Sequence, residues 1–435
     1  MAHHTQLRTT GFRHSGVFGV GLLLLALVGC GGGSSDDASA PGTPGTPATP
    51  PGIATQPTAQ LVVQGQAARF SVAASGGGLA YQWLRNGAAI AGAQAPSYTT
   101  PLLQPADNAS QYSVRVSNAS GSATSIPVAV RVFADTELPA PRTANLRPSA
   151  TGSGIADSFG EHYVAINPAV SPNGQLFVFF PGSTAIPNNY RLIVQAAANN
   201  GYAAIGLGYP NASLVAQECN GNADPDCTRQ LREEVLTGNN VSAEIAVTPA
   251  NAIRNRLVAA LRQLDQQQPL EGWGRFVDGS GNLQWPLIRV GGHSGGGGAA
   301  VYISKQSQVD RACFFASPAD ALNNPQRAAP WVGVPGATSN TRLYGFTHVQ
   351  DAIVPYTLVQ QQWAALQLGS LGAVVSVDSV ASPYNGSHTL TTNAARPNVL
   401  TSSFHNITIV DVATPTDANG LPSYRRAWQY LCFAP

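Results

Sequence analysis

The sequence predicts two folded parts: a small all-β sandwich, then a larger α/β domain on a mostly parallel sheet with helices on both faces. Three observations carry this. Between residues 55 and 133, apolar and polar residues alternate between turn signals and no stretch has helical periodicity. Between 145 and 435, short apolar runs alternate with amphipathic helical stretches, the order that builds a parallel sheet. Ahead of both, residues 31–51 are rich in Gly, Pro, Ser and Thr and read as linker.

At 435 residues the chain is long enough for two or three domains. Its 23 basic and 22 acidic side chains leave a formal charge of +1, and Lys305 is its one lysine. Binding a nucleic-acid backbone needs a clustered basic surface, so that class of partner is excluded.

The N-terminus carries Arg8 and Arg13, then an apolar run over 17–28, and reaches Leu27-Val28-Gly29-Cys30. At 12 residues the run is too short to span a bilayer and suits a signal-peptide core. Residues 1–29 with Cys30 resemble the bacterial lipoprotein signal, in which small Gly29 admits the peptidase and the Cys30 thiol takes the acyl groups. An ordinary secretory signal that happens to carry a cysteine is the alternative. The resemblance implies an exported protein held in the bacterial cell envelope by a lipid anchor on Cys30, with 30–54 as a flexible tether. Gly31 after the cysteine is similar to the outer-membrane sorting pattern.

Four cysteines remain, an even count that favours disulfides in an exported chain. Cys219 and Cys227 bracket a turn-rich stretch and are paired locally, which leaves Cys313 with Cys432. There is no CxxC and no histidine near them, so a metal site is rejected.

In the first part, Phe70 and Val72 share one strand face, Tyr81 and Trp83 precede an Asn86-Gly87 turn, and Tyr112, Val114 and Val116 point inward. This arrangement over 55–133 resembles an immunoglobulin-like sandwich. Val72 and Val114 stand where that family has its bridging cysteines, so packing around Trp83 replaces the bridge. Two roles stay open: a spacer, or a module that binds carbohydrate or a protein partner.

In the second part, Leu176-Phe177-Val178-Phe179-Phe180 reads as a buried strand and 189–200 as a helix ended by Gly201. Thr248-Pro249 opens a long helix with Ile253, Leu257, Leu261 and Leu264 on one face. Strand 287–290 then leads into Gly292-His293-Ser294-Gly295-Gly296 and a further helix. G-x-S-x-G between strand and helix is the setting of a nucleophile elbow, where glycines admit a strained, close-packed turn. A chance match in a chain with 45 glycines is the plainer reading, and the flanking elements weigh against it. Here residues 160–435 resemble the α/β-hydrolase superfamily, and also bacterial hydrolase-like proteins with a histidine-serine-glycine-rich elbow and no assigned substrate.

The resemblance implies Ser294 as nucleophile and a chain order of serine, acid, histidine. Of eight histidines, His3, His4 and His14 leave with the signal. His293 sits beside the nucleophile with its side chain directed elsewhere, and His162 precedes the core. With 371–380 as the last strand, His388 lies in the loop that follows it, and Gly386-Ser387-His388 is similar to the histidine loop of bacterial cutinase-like polyesterases. His388 is therefore the expected base, with His405 second and otherwise a C-terminal packing residue; His348 lies before the expected acid. The loop from Thr347 to Pro355 looks like the superfamily's D-x-x-V-P acid loop, which implies Asp351, with Asp320 as competitor.

An oxyanion hole needs two backbone donors. Gly295 follows the nucleophile, and Pro181-Gly182-Ser183-Thr184 resembles the corresponding polyesterase loop, which implies the Ser183 amide. An aromatic usually stands at that position, and Ser183 departs from it. The 209–247 region is polar, unlike the greasy lid of a lipase at an oil interface. The expectation is a lipid-anchored serine esterase with no metal or organic cofactor, acting on a small or polymeric ester. The alternatives are a polymer esterase that binds through its sandwich, a peptidase or amidase, and a catalytically silent surface adhesion or binding protein.

Overall fold

Nine strands drawn from residues 142–392 form one sheet in this computed structural model, which describes residues 49–212, 215–323, 326–397 and 403–434. In chain order they are β1 (Arg142–Leu146), β2 (His162–Ile166), β3 (Leu176–Phe180), β4 (Ala203–Gly206), β5 (Ile288–His293), β6 (Arg311–Phe315), β7 (Leu343–His348), β8 (Val375–Ser376) and β9 (Thr389–Thr392). Their order in the sheet is β1-β2-β4-β3-β5-β6-β7-β9-β8. The β1–β2 and β2–β4 pairs are antiparallel, and every later pair is parallel. His162 opens β2 and so belongs to the sheet rather than preceding the core.

Every residue of β3 is buried because the sheet is covered on both faces. Leu176, Val178 and Phe180 point to one face, where α2 (Cys227–Thr237), α3 (Ile253–Gln267), α4 (Gly295–Gln306) and α5 (Tyr356–Ala365) pack. Phe177 and Phe179 point to the other, against α1 (Arg191–Asn199) and a C-terminal group that includes Trp428, Leu431 and Phe433. The helix expected from Thr248-Pro249 begins as a 3-10 turn, Pro249–Asn251, and becomes α3 at Ile253. Among the described residues no helix is long and apolar enough to cross a membrane.

The first part is all β. Its main sheet joins Gln60–Val63, Val128–Phe133, Gln111–Asn118, Ala80–Arg85 and Ala88–Ala89, and Gly121–Thr124 pairs with Gln111–Asn118. Phe70, on a separate two-stranded sheet, stacks on Tyr112 at 4.6 Å and meets Trp83 at 6.1 Å. Trp83, Val114 and Val116 are fully buried, and the Trp83 indole N–H donates to the Ala95 carbonyl at 3.0 Å. The module starts earlier than residue 55, since Gly52–Thr55 already pairs with Ala73–Ser75.

The described residues form one compact unit. Ser171 N–H donates to the Leu61 carbonyl and Leu61 N–H to Ser171 Oγ, both at 2.9 Å. The Arg426 guanidinium donates to the Gln64 carbonyl at 2.8 Å. A cleft of about 420 Å³ lies between the module (Val62, Gln66, Arg69) and residues at the starts of parallel strands (Gln175, Tyr202, Arg289). The module therefore docks at the N-terminal ends of those strands. The expected signal over 1–29, Cys30 and most of the expected linker lie outside the described residues.

Candidate active site

Strand β5 turns into α4 at Ser294, whose backbone sits at φ 51° and ψ −120°. A non-glycine residue holds such a conformation only where its surroundings force it. Here Ser294 N–H donates to the Phe315 carbonyl at 2.9 Å, while its carbonyl accepts from Gly298 N–H at 3.1 Å and Ser317 Oγ at 3.0 Å. The turn also presses on its neighbours. A Cβ on Gly292 would lie 2.2 Å from the Gly296 carbonyl oxygen, and one on Gly296 would lie 2.1 Å from that of Phe180.

The loop after β3 is held against this elbow. Tyr209 donates its hydroxyl to the Pro181 carbonyl at 3.0 Å, and Asn211 donates its amide to the carbonyls of Gly182 and Ala185, both at 2.8 Å. Thr184, at φ 63°, returns its N–H to the Asn211 carbonyl at 2.8 Å. These bonds bring Ser183 against Gly295: a Cβ on Gly295 would lie 2.4 Å from Ser183 Oγ and 3.4 Å from its nitrogen.

Asp351 follows β7 and accepts the N–H groups of Ile353 at 2.9 Å and Val354 at 3.0 Å on Oδ1. Its Oδ2 meets His405 Nδ1 at 2.7 Å. Both side chains are buried, at 0% and 7% exposed. The His405 ring lies 4.6 Å from that of His293, the residue before Ser294.

His388 is not brought to Asp351, which corrects the expected pairing. Its Nδ1 bonds the Leu343 carbonyl at 2.9 Å and its ring stacks on Tyr344 at 4.0 Å. Burial lowers its pKa. The reason lies in the strands. What reads as the last strand is only the two-residue edge strand β8, and the presumed loop after it leads into β9, which pairs Thr389 with Gly345 and Thr392 with His348. His388 thus stands at the start of the innermost strand of that edge, about 13 Å below its end at roughly 3.3 Å per residue. His348 bonds Ala394 at 2.9 Å through Nε2 and stacks on Phe404 at 4.2 Å.

Asp320, the competing acid, holds Arg232 in a buried two-pronged ion pair, Nε to Oδ2 at 2.9 Å and Nη2 to Oδ1 at 2.6 Å. Arg232 Nη1 donates to the Gly295 carbonyl at 2.7 Å. On the same helix, burial of Glu234 works against its charge, but the N–H groups of Val247, Ser242 and Val241 outweigh it and hold the carboxyl below its usual range. Glu234 so shapes the 241–247 loop. That loop and α2 close a cavity of about 160 Å³, walled by Leu231, Val235 and Val247, with Ser183 and Gly295 on its lining. Trp273 and Trp331 are core residues. Among the described residues no three His, Cys, Asp or Glu side chains are grouped to hold a metal ion.

Cys219–Cys227 and Cys313–Cys432 are both disulfide-bonded, the pairing expected. The first staples the segment leading into α2, and the second ties β6 to the C-terminal segment. Sequence reasoning did not single out Tyr190, Tyr209, Asn211, Arg232 or Glu234, none of which belongs to a short motif.

No family model and no curated protein matches the chain. Solved immunoglobulin-domain structures do. A complex of titin M10 with a mutant Ig domain of obscurin-like 1 aligns at 24% identity over 20% of this chain and 96% of that one, with a TM-score of 0.18. A chimeric titin Z1Z2 carrying a decorin peptide aligns at 24% identity over 21% and 100%, also at 0.18. The N-terminal four Ig domains of Dscam1 isoform 1.9 align at 22% identity over 18% and 20%, at 0.16. Likenesses at these scores bear on neither the larger sheet nor its site.

Proposed function

We propose that the chain is a serine hydrolase of the α/β-hydrolase type. The strand order, the single reversed strand β2 near one edge and the strained serine between β5 and α4 support that class. Within it, the reading is an exported carboxylic-ester hydrolase that takes short acyl groups, anchored in the bacterial cell envelope through Cys30 and carrying an immunoglobulin-like module.

The observation that carries the proposal is the 2.7 Å Asp351–His405 pair beside the elbow. Asp351 takes the Nδ1 proton of His405 as a hydrogen bond, which leaves Nε2 as the basic nitrogen. Ser294 Oγ attacks the ester carbonyl as its proton passes to Nε2. The tetrahedral oxyanion takes hydrogen bonds from the Ser183 and Gly295 amides, and the imidazolium gives its proton to the departing alcohol. Water, deprotonated by His405, then releases the acid and restores Ser294.

The test is release of p-nitrophenol from acetate, butyrate and octanoate esters by the purified protein beside its Ser294→Ala variant. Turnover that vanishes in the variant, with fluorophosphonate labelling at Ser294, is expected. A folded protein that neither turns over any ester nor takes the label overturns the reading.

A further inference from the structure

Four hydrogen bonds run in series from the loop after β3 to Asp351. Gly182 N–H meets Tyr190 Oη at 3.1 Å, Tyr190 Oη meets His293 Nδ1 at 2.9 Å, His293 Nε2 meets the His405 carbonyl at 3.0 Å, and His405 Nδ1 meets Asp351 at 2.7 Å. Counting protons fixes the direction of the first three. The His405 carbonyl can only accept, so His293 carries its hydrogen on Nε2. A neutral imidazole has one such hydrogen, so Nδ1 accepts, and the Tyr190 hydroxyl donates to it while accepting from Gly182. Burial supports both protonation states: it drives the His293 pKa well below its ordinary value, ahead of the nearby His405, and pushes that of Tyr190 up.

His293 closes β5 and is held in register opposite Phe315. The segment 403–424 that carries the base has no strand of its own. Six residues past His405 it is pinned to α1, where Asp411 accepts the N–H groups of Arg191 at 3.0 Å and Leu192 at 3.1 Å. Its near end rests on the His293 ring.

We propose that His293 and Tyr190 are positioning residues that lock the base-bearing segment and the oxyanion loop to the same rigid strand, so that both keep their places around Ser294. The proposal rests on the serine-hydrolase reading. His293 does so with a backbone contact to His405, and Tyr190 does so by setting the His293 tautomer and holding the Gly182 amide. Loss of the Tyr190 hydroxyl frees His293 to move its hydrogen to Nδ1, which would leave two acceptors facing each other at the His405 carbonyl.

The test compares Tyr190→Phe, His293→Phe and His293→Gln with the parent protein, by kinetics on the butyrate ester and by the downfield proton NMR signal of His405 Nδ1–H. Tyr190→Phe is expected to lower kcat about tenfold with KM within twofold, and to shift or broaden that signal. His293→Phe is expected to do more, and His293→Gln, whose amide can still donate to the carbonyl, to recover part of it. An unchanged kcat and an unmoved signal in Tyr190→Phe overturn the proposal, as does equal loss in the Phe and Gln variants at His293. If the parent hydrolyses no ester, the esterase reading fails, and the NMR comparison still decides whether the bond series holds His405 in place.

Discussion

Arg232 and Asp320 form a two-pronged ion pair, 4% and 1% exposed, and the third arm of the same guanidinium holds the Gly295 carbonyl. Breaking such a pair leaves a buried charge without a partner, so Arg232→Met is expected to cost about 3–5 kcal/mol in urea unfolding. The double variant Arg232→Met with Asp320→Leu removes both charges and should regain most of that stability. Its activity should stay reduced, because Gly295 still lacks its partner. Full activity in the double variant would mean that the Arg232–Gly295 bond has no part in turnover.

His405→Ala is expected to lower ester turnover about a million-fold, the scale of losing the histidine of such a triad. His388→Ala should leave turnover close to that of the parent and cost about 1 kcal/mol through its lost stacking on Tyr344. Single-turnover rates with the acetate ester separate the two. Loss of activity in His388→Ala alone would restore the pairing that the sequence suggests.

Acid should destabilise the protein through its buried histidines. Burial, followed by the positive Arg256, pushes His162 down to about 3, and burial also lowers His293, His348 and His388. Below 6.5 the unfolded chain binds protons that the folded chain refuses, so stability is full above that pH and is lost as pH falls toward 3. The urea midpoint should therefore be lower at pH 5 than at pH 7.5. His162→Asn, which keeps an acceptor for Gly208 N–H, should flatten the dependence.

The cavity beside Ser183 and Gly295 is about 160 Å³. An apolar cavity of about 150 Å³ holds a benzene molecule, so acyl groups of about four to six carbons fill this one. Turnover should peak at butyrate or hexanoate and fall at octanoate. Val235→Ala should move the peak to longer chains, measured as kcat/KM across the series.

Cys313–Cys432 spans 119 residues and Cys219–Cys227 only 8. In the chain-entropy account the long bridge contributes about 5 kcal/mol and the short one about 2.5. Replacing Cys313 and Cys432 by alanine should therefore lower the melting temperature more than replacing Cys219 and Cys227. The short pair should show instead in KM, since its loop leads into the helix that walls the cavity.

What the sequence made legible was local. The all-apolar run of β3 could only be a strand covered on both sides, and the glycines around Ser294 marked a turn no other residues allow. Asp351 stood in a loop of recognisable spacing after a strand. The histidine partner of Asp351 was harder to read, because β9 is Thr389-Leu390-Thr391-Thr392, four buried residues of which three are polar. Neither alternation nor an apolar run announces such a strand, and the turn residues Pro383 and Gly386 before it suggested a loop. Tyr190, Asn211 and Arg232 act on partners 8 to 103 residues away, through contacts no local pattern encodes.

The docking of the small module has a mechanical consequence. Its bonds, Leu61 to Ser171 and Gln64 to Arg426, meet the large sheet at the end where the parallel strands begin, whereas Ser294 sits where β5 finishes, about 16 Å further along at roughly 3.3 Å per residue. Any tension on the N-terminus enters through the module and is borne by the blind end of the sheet. The elbow, at the opposite ends of those strands, is spared that load.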